Sequence, residues 1–227
     1  MYNDDLLIKY MVESFDSNQP DLISKEKGPF ITISREHGCQ ANLLARMLRD
    51  ELQKKGEKWS ILNKEIIMES AKKLDMDPRK VQNVSESVDR TMMDEVLAAL
   101  SAKYYKSDRR VRQTIAGVVT AAAASGNTII VGRGGAAFTH QMHPSIHLKL
   151  YAPLEWRIQS LMARYHAKRE HILKEVTNLD YKRHRLMSGA VSGLEDNPLL
   201  YDLQINCSTV SHREIVSMVL DLIGQRF

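Results

Sequence analysis

The sequence predicts an α/β protein: a parallel β-sheet with helices on both faces. Three observations predict it. Short apolar, β-branched runs alternate with longer stretches of helical periodicity along most of the 227 residues, as strand–helix–strand crossovers require. The polar clusters Ser34-Arg35-Glu36, Asn63-Lys64-Glu65, Gly132-Arg133-Gly134 and Asn206-Cys207 each follow an apolar run. They therefore fall at strand carboxyl ends, where open α/β sheets bind ligands. Finally, the first apolar run passes through a tight polar loop straight into an amphipathic helix, an arrangement that points helix N–H groups and the positive dipole end at an anion.

Taken in order, residues 5–16 read as a short amphipathic helix (Leu6, Leu7, Tyr10, Met11 and Phe15), ended by Ser17-Asn18-Gln19-Pro20. This arm, with its linker to residue 28, packs on the outside of its own domain, or on a second subunit if the chain is a homo-oligomer; the first is the expectation. Phe30-Ile31-Thr32-Ile33 is the first strand, residues 34–41 the loop, and residues 42–55 the helix, with Leu43, Leu44, Met47, Leu48 and Leu52 at helical spacing. A second strand is predicted at residues 59–62. Residues 76–127 are predicted to be mostly helical, with a stripe of Val88, Met92, Met93, Val96, Leu97 and Leu100, a break near Ser107, and a helix over 111–124 closed by Ser125-Gly126-Asn127. Thr128-Ile129-Ile130-Val131 is the clearest strand. Residues 146–151 form the next one, Pro153 opens a helical stretch to about residue 190 with a break near 165–167, and residues 203–206 are the last strand. Ser211 with Glu214 has capping-box spacing at the start of the final helix.

Composition narrows the function classes. A content of 43% hydrophobic residues supports a full core, and a formal charge of +4 suits a polyanionic ligand. No long basic run with interleaved aromatics argues for nucleic acid. The start of the chain lacks the basic and apolar regions of a signal peptide, and no apolar run is long enough to span a bilayer, so the expectation is a cytoplasmic protein with no membrane partner. Cys39 and Cys207 suggest neither a disulfide framework nor a metal pair. Among the eight histidines only His140 and His143 have metal-like spacing, with no carboxylate close by in sequence, and no metal ligand is assigned.

The loop itself departs from the standard phosphate-binding motif G-x-x-x-x-G-K-[ST], whose lysine reaches the β/γ-phosphates and whose hydroxyl holds magnesium. Gly38 stands for the second glycine, and no lysine or hydroxyl follows it in register. Arg133 sits between glycines at a strand end, where backbone can approach a ligand closely and a guanidinium can fork onto phosphate; ligand contact is favoured over a solvated arginine on a glycine turn. Arg157 and Arg164 share a helix face, and Arg183 and Arg185 lie on the helix that follows. Basic helices in series can close over a phosphate chain, although each of these side chains could equally belong to a solvated face.

Five ordered segments carry a family resemblance: residues 31–38, Val131-Gly132-Arg133-Gly134, residues 151–158, Asp180-Tyr181-Lys182-Arg183 and residues 200–206. Together they resemble the cytidylate kinase-like family of P-loop nucleoside-monophosphate kinases over roughly residues 30–225. The resemblance implies a P-loop kinase-type five-stranded parallel sheet in a domain spanning 29–227, a helical nucleotide-monophosphate subdomain near 64–127 and a lid near 157–190. It implies ATP and Mg2+ as cofactors and a nucleotide or other phosphorylated small molecule as partner. In this chain Gly134 replaces the family's third-strand aspartate, Asn63 its second-strand aspartate, and Cys39-Gln40-Ala41-Asn42 its two glycines and an arginine. The expected phosphate-binding set is Ser34, Glu36, His37, Gly38, Cys39, Gln40, Ala41, Asn42, Gly132, Arg133, Gly134 and Arg185. Arg35, Arg157 and Arg183 are the expected catalytic groups, Arg35 standing in for the loop lysine. Two functions follow from this: a nucleotide-kinase-like phosphotransferase with a degenerate loop, or a catalytically inactive nucleotide- or anion-binding regulatory module on the same fold.

Overall fold

The β-branched run at the first strand is flanked on both sides by chain of the same kind, and this sets the architecture. The computed structural model describes residues 28–63, 109–190 and 197–227. β1 (Phe30–Arg35) lies between β3 (Thr128–Val131) and β4 (Ser145–Tyr151). β2 (Ser60–Leu62) pairs with β3, and β5 (Leu203–Asn206) pairs with β4. The sheet is parallel throughout, in the order β2-β3-β1-β4-β5. From β1 the chain runs toward β2, and from β4 toward β5. The two carboxyl ends therefore diverge and open a crevice between β1 and β4, the topological position for a ligand.

Alternation along each strand sorts the two faces. Ile31, Ile33, Ile146, Leu148 and Leu150 join Leu44, Leu48 and Leu52 of α1 (Ala41–Lys54) and Ile215 and Val219 of α6 (His212–Arg226) in one buried cluster. On the opposite face, α2 (Arg109–Ala124) packs on β3, and α3 (Gly135–Thr139) packs on β1. A Cβ on Gly135 would stand 3.4 Å from the Thr32 Cβ.

Beyond β4, α4 (Leu154–Tyr165) and α5 (Arg169–Ala190) pack together through Ile158, Leu161, Ile172 and Val176. The break between them falls at the predicted place because His166 caps α4 in the left-handed region, φ 52°, its N–H bonded to the Met162 carbonyl. The capping box of α6 forms as read: Ser211 Oγ accepts from Glu214 N–H, and Glu214 returns the bond to Ser211 N–H.

Some boundaries need correction. Ser34 and Arg35, expected in the loop, are the last residues of β1, because the ladder with β4 continues through Ser34–Lys149 and Arg35–Leu150. Trp59, expected in the second strand, precedes it as a buried core residue. The short α3 and the 3-10 turn Pro198–Leu200 are too short to show periodicity. The amphipathic arm at 5–16, the helices expected over 64–108 and the Met-rich stripe within them lie outside the described residues. No helix among the described residues is long and apolar enough to cross a membrane.

Candidate functional site

The loop from β1 to α1 turns on Gly38, at φ +103°, where a Cβ would stand 2.9 Å from the Arg157 Cβ. Both the backbone conformation and the close approach of α4 therefore call for glycine. Glu36 N–H donates to the Leu150 carbonyl at 3.0 Å, anchoring the loop to β4. Gln40, which precedes the first helical residue, is left-handed at φ 49° although it carries a side chain. Cys39 and Ala41 are buried under the loop. The helix start thus faces the carboxyl edge of the sheet, and its first N–H groups are those that no intrahelical carbonyl reaches.

Arg157 is the hub of the site. Its side chain is only 8% exposed. Nε donates to the Ala152 carbonyl at 3.0 Å and lies 3.2 Å from Glu36 Oε2. Nη1 donates to the His37 carbonyl at 3.1 Å and to Asp180 Oδ2 at 2.5 Å. Asp180 Oδ1 accepts from the His37 N–H at 2.7 Å and from Arg183 Nη1 at 3.3 Å. Glu36 Oε2 also accepts from Ala152 N–H at 3.0 Å. Loop, α4 and α5 are thereby joined through two guanidinium groups and their carboxylates. His37 Nε2 lies 3.3 Å from Glu175 Oε1, close enough for charge attraction but not aligned for a hydrogen bond. Burial and then Arg183 hold the His37 pKa below the usual value, against the opposing pull of Glu175 and Asp180.

The second glycine loop lies beside the first. Gly132, Arg133 and Gly134 all have positive φ, 75°, 58° and 70°. Gly132 N–H donates to the Ile33 carbonyl at 3.0 Å. The Arg35 guanidinium lies across Gly132, so close that a Cβ there would fall 1.6 Å from Nη1. Arg133 is buried. At the start of α1, Asn63 Nδ2 donates to Asn42 Oδ1 at 3.4 Å, which ties the end of β2 to the loop helix.

The structure therefore brings the Arg35, Glu36, His37, Gly38, Arg157 and Arg183 positions together at one edge with the Gly132–Arg133–Gly134 turn. Ser34 is half-buried in β1, beside Lys149 in register. Arg185 belongs to α5, with its side chain outside the described part. Three features were missed. Asp180 matters through contacts to residues 143 and 23 positions away; the Asp-x-x-Arg segment was the only signal for it. Glu175 was not singled out. The Cys39 and Cys207 thiols, far apart in sequence, share a hydrogen bond that, together with burial, raises the Cys39 pKa well above the thiol range.

At the other end of the sheet, His140, His143, His147, Tyr201, Asp202 and Arg226 line a cavity of about 300 Å³. The absence of a carboxylate near His140 and His143 is thus a feature of the sequence alone. Asp202 reaches the cavity from the turn before β5.

A parallel sheet in this order, with two glycine loops and a helical flap of arginines at its carboxyl edge, defines a nucleotide-kinase-like α/β protein. A model of the cytidylate kinase-like family matches residues 30–209, and the chain belongs to that family. No curated protein matches it. Among solved structures it is similar to an uncharacterized protein from Eubacterium ventriosum, with a TM-score of 0.60 and 17% identity, covering 88% of this chain and 100% of the other. That likeness speaks to the fold alone.

Proposed function

We propose that the chain is a nucleotide-kinase-like phosphotransferase that moves the γ-phosphate of ATP to a nucleoside monophosphate or a related phosphorylated acceptor. The observation that carries this reading is the meeting of Arg35, Arg157 and Arg183 with two neighbouring glycine loops, one of which contains Arg133, at the carboxyl edge of the sheet. Phosphoryl transfer asks mainly for positioning and for stabilisation of spread negative charge, and a fixed loop backbone with guanidinium groups beside it offers both. In this reading the loop backbone at 37–42 holds phosphate, Arg35 at the seam of the two loops takes the part of the missing lysine, Arg133 faces the acceptor phosphate, and Arg157 and Arg183 steady the group in transfer.

The site residues fit a phosphate chain better than they fit a metal. No serine or threonine lies among Cys39, Gln40, Ala41 and Asn42, where a hydroxyl would hold magnesium, and the Asn42 amide oxygen already accepts from Asn63. Magnesium would come with the nucleotide, held by phosphate oxygens and water, where it would neutralise phosphate charge.

A second reading, an anion-binding regulatory module without catalysis, is favoured by one observation. Arg157 is fully engaged by two carbonyls and two carboxylates. Calorimetric titration with ATP, with and without magnesium, and a phosphoryl-transfer assay over nucleoside monophosphates separate the two. The expected outcome is weak, salt-sensitive ATP binding and slow transfer. Both should improve in the triple variant Gln40→Gly, Ala41→Gly, Asn42→Arg, which opens the loop and adds a cation. Tighter ATP binding in that variant with no phosphorylated product would favour the binding module.

A further inference from the structure

We infer that the Asp180 carboxylate occupies the place a ligand phosphoryl group takes, so that the site is held shut by its own lid until a phosphate displaces it. The inference rests on the phosphate-site reading above and assigns it particular atoms. Asp180 lies on α5, yet its carboxylate bridges the loop backbone and two arginines. It accepts from His37 N–H at 2.7 Å, from Arg157 Nη1 at 2.5 Å and from Arg183 Nη1 at 3.3 Å. A loop N–H next to a positive-φ glycine, with two guanidinium groups around it, is the donor set that binds phosphate elsewhere. A carboxylate presents two anionic acceptor oxygens to these donors, as two oxygens of a phosphoryl group would.

The charge arrangement supports displacement over co-occupancy. Glu36, Asp180 and Glu175 are the carboxylates in contact with Arg157, Arg183 and His37, and His37 is held toward its neutral form by burial and Arg183. Within this cluster two guanidinium groups face three carboxylates, so a phosphate arriving with Asp180 in place finds these donors already taken by anions. With Asp180 withdrawn, the same donors face two anions. The cluster can be reached: the Asp180 and Arg183 side chains are 26% and 24% exposed, against 8% for Arg157. Arg157 is fixed by the Ala152 and His37 carbonyls independently of Asp180, so its guanidinium keeps its place when the carboxylate leaves.

Asp180→Asn tests this, because the amide keeps the shape of the side chain and removes its charge. Pyrophosphate without metal is titrated calorimetrically into the full-length wild type and the variant at constant ionic strength. The variant is expected to bind at least tenfold more tightly. Equal or weaker binding by a variant that melts like the wild type overturns the inference and shows Asp180 to be only a brace for the loop. Should the variant fail to fold, the wild type still decides. In protein labelled at the aspartate carboxyl carbons, the Asp180 resonance is expected to move as pyrophosphate saturates the site, and an unmoved resonance at saturation overturns the inference. Its failure is distinct from failure of the kinase reading. ATP turnover without any gain in Asp180→Asn leaves the kinase and removes the latch; a gain without transfer to any acceptor leaves the latch and removes the kinase.

Discussion

The two ends of the β-sheet handle polar groups in opposite ways. At the carboxyl end, charge is dense and mutually satisfied: Arg157 alone meets two carboxylates and two carbonyls. At the amino end, the polar group of interest is buried and only half satisfied. His147 bonds through Nδ1 to Thr32 Oγ1 at 2.7 Å and through its backbone N–H to Asp202 Oδ2, while Nε2 is buried without a hydrogen-bond partner among the described residues. Burial pushes its pKa down to about 4, against the attraction of Asp202 and aided by His143 and His140. Asp202 resists the upward push of its own burial because the His147 N–H and Arg226 hold it ionised. One end is therefore held by ion pairing that breaks when a partner is removed. The other is held by keeping a histidine neutral, and it weakens when the proton concentration rises.

The largest expected effect lies at the carboxyl end. Arg157→Leu removes the one cation that Glu36, Asp180 and the His37 carbonyl share, leaving Glu36 without its cation and Asp180 with Arg183 alone, and should cost about 3 kcal/mol in urea unfolding, the low end for a broken buried pair because both carboxylates are partly exposed. A loss below about 1 kcal/mol would show that solvent already screens the cluster and would erase the contrast between the two ends.

The next effect sharpens the contrast from the amino end. The His147 pKa is about 4 in the fold, against 6.5 for the free side chain. Between these values the unfolded chain binds the proton and the native protein does not, so acidification favours unfolding. The contribution is complete above pH 6.5 and falls away as the pH drops toward 4, by about 3 kcal/mol in all. Urea midpoints measured across that window should fall for the wild type and flatten in His147→Gln. A variant with the same slope as the wild type would assign the acid sensitivity to other groups.

The smallest effect tests how tightly the loop is joined to α4. Gly38→Ala forces a side chain onto φ +103° and puts a Cβ 2.9 Å from that of Arg157. It should cost about 1–3 kcal/mol and weaken ATP binding more than it weakens the fold, because the strain is released by moving the loop. An unchanged ATP affinity would mean that the loop does not touch the nucleotide.

The order of strands and helices, the break at residues 165–167, the capping box at Ser211 and the placing of Gly38 and Arg133 at strand ends could all be read from the sequence. Each depends on local spacing: period two in strands, period 3.6 in helices, and glycine where the backbone must turn left. Only the tertiary structure decided which charges meet. Asp180 reaches His37, Cys207 reaches Cys39, and Asp202 reaches His147 because the parallel sheet sets chain segments far apart in sequence side by side at its two ends, and α5 packs over one of them. Side-chain chemistry in the sequence names the available partners. The register of β4 between β1 and β5, and the packing of α4 and α5 over the loop, fix which of them lie within 3 Å of one another.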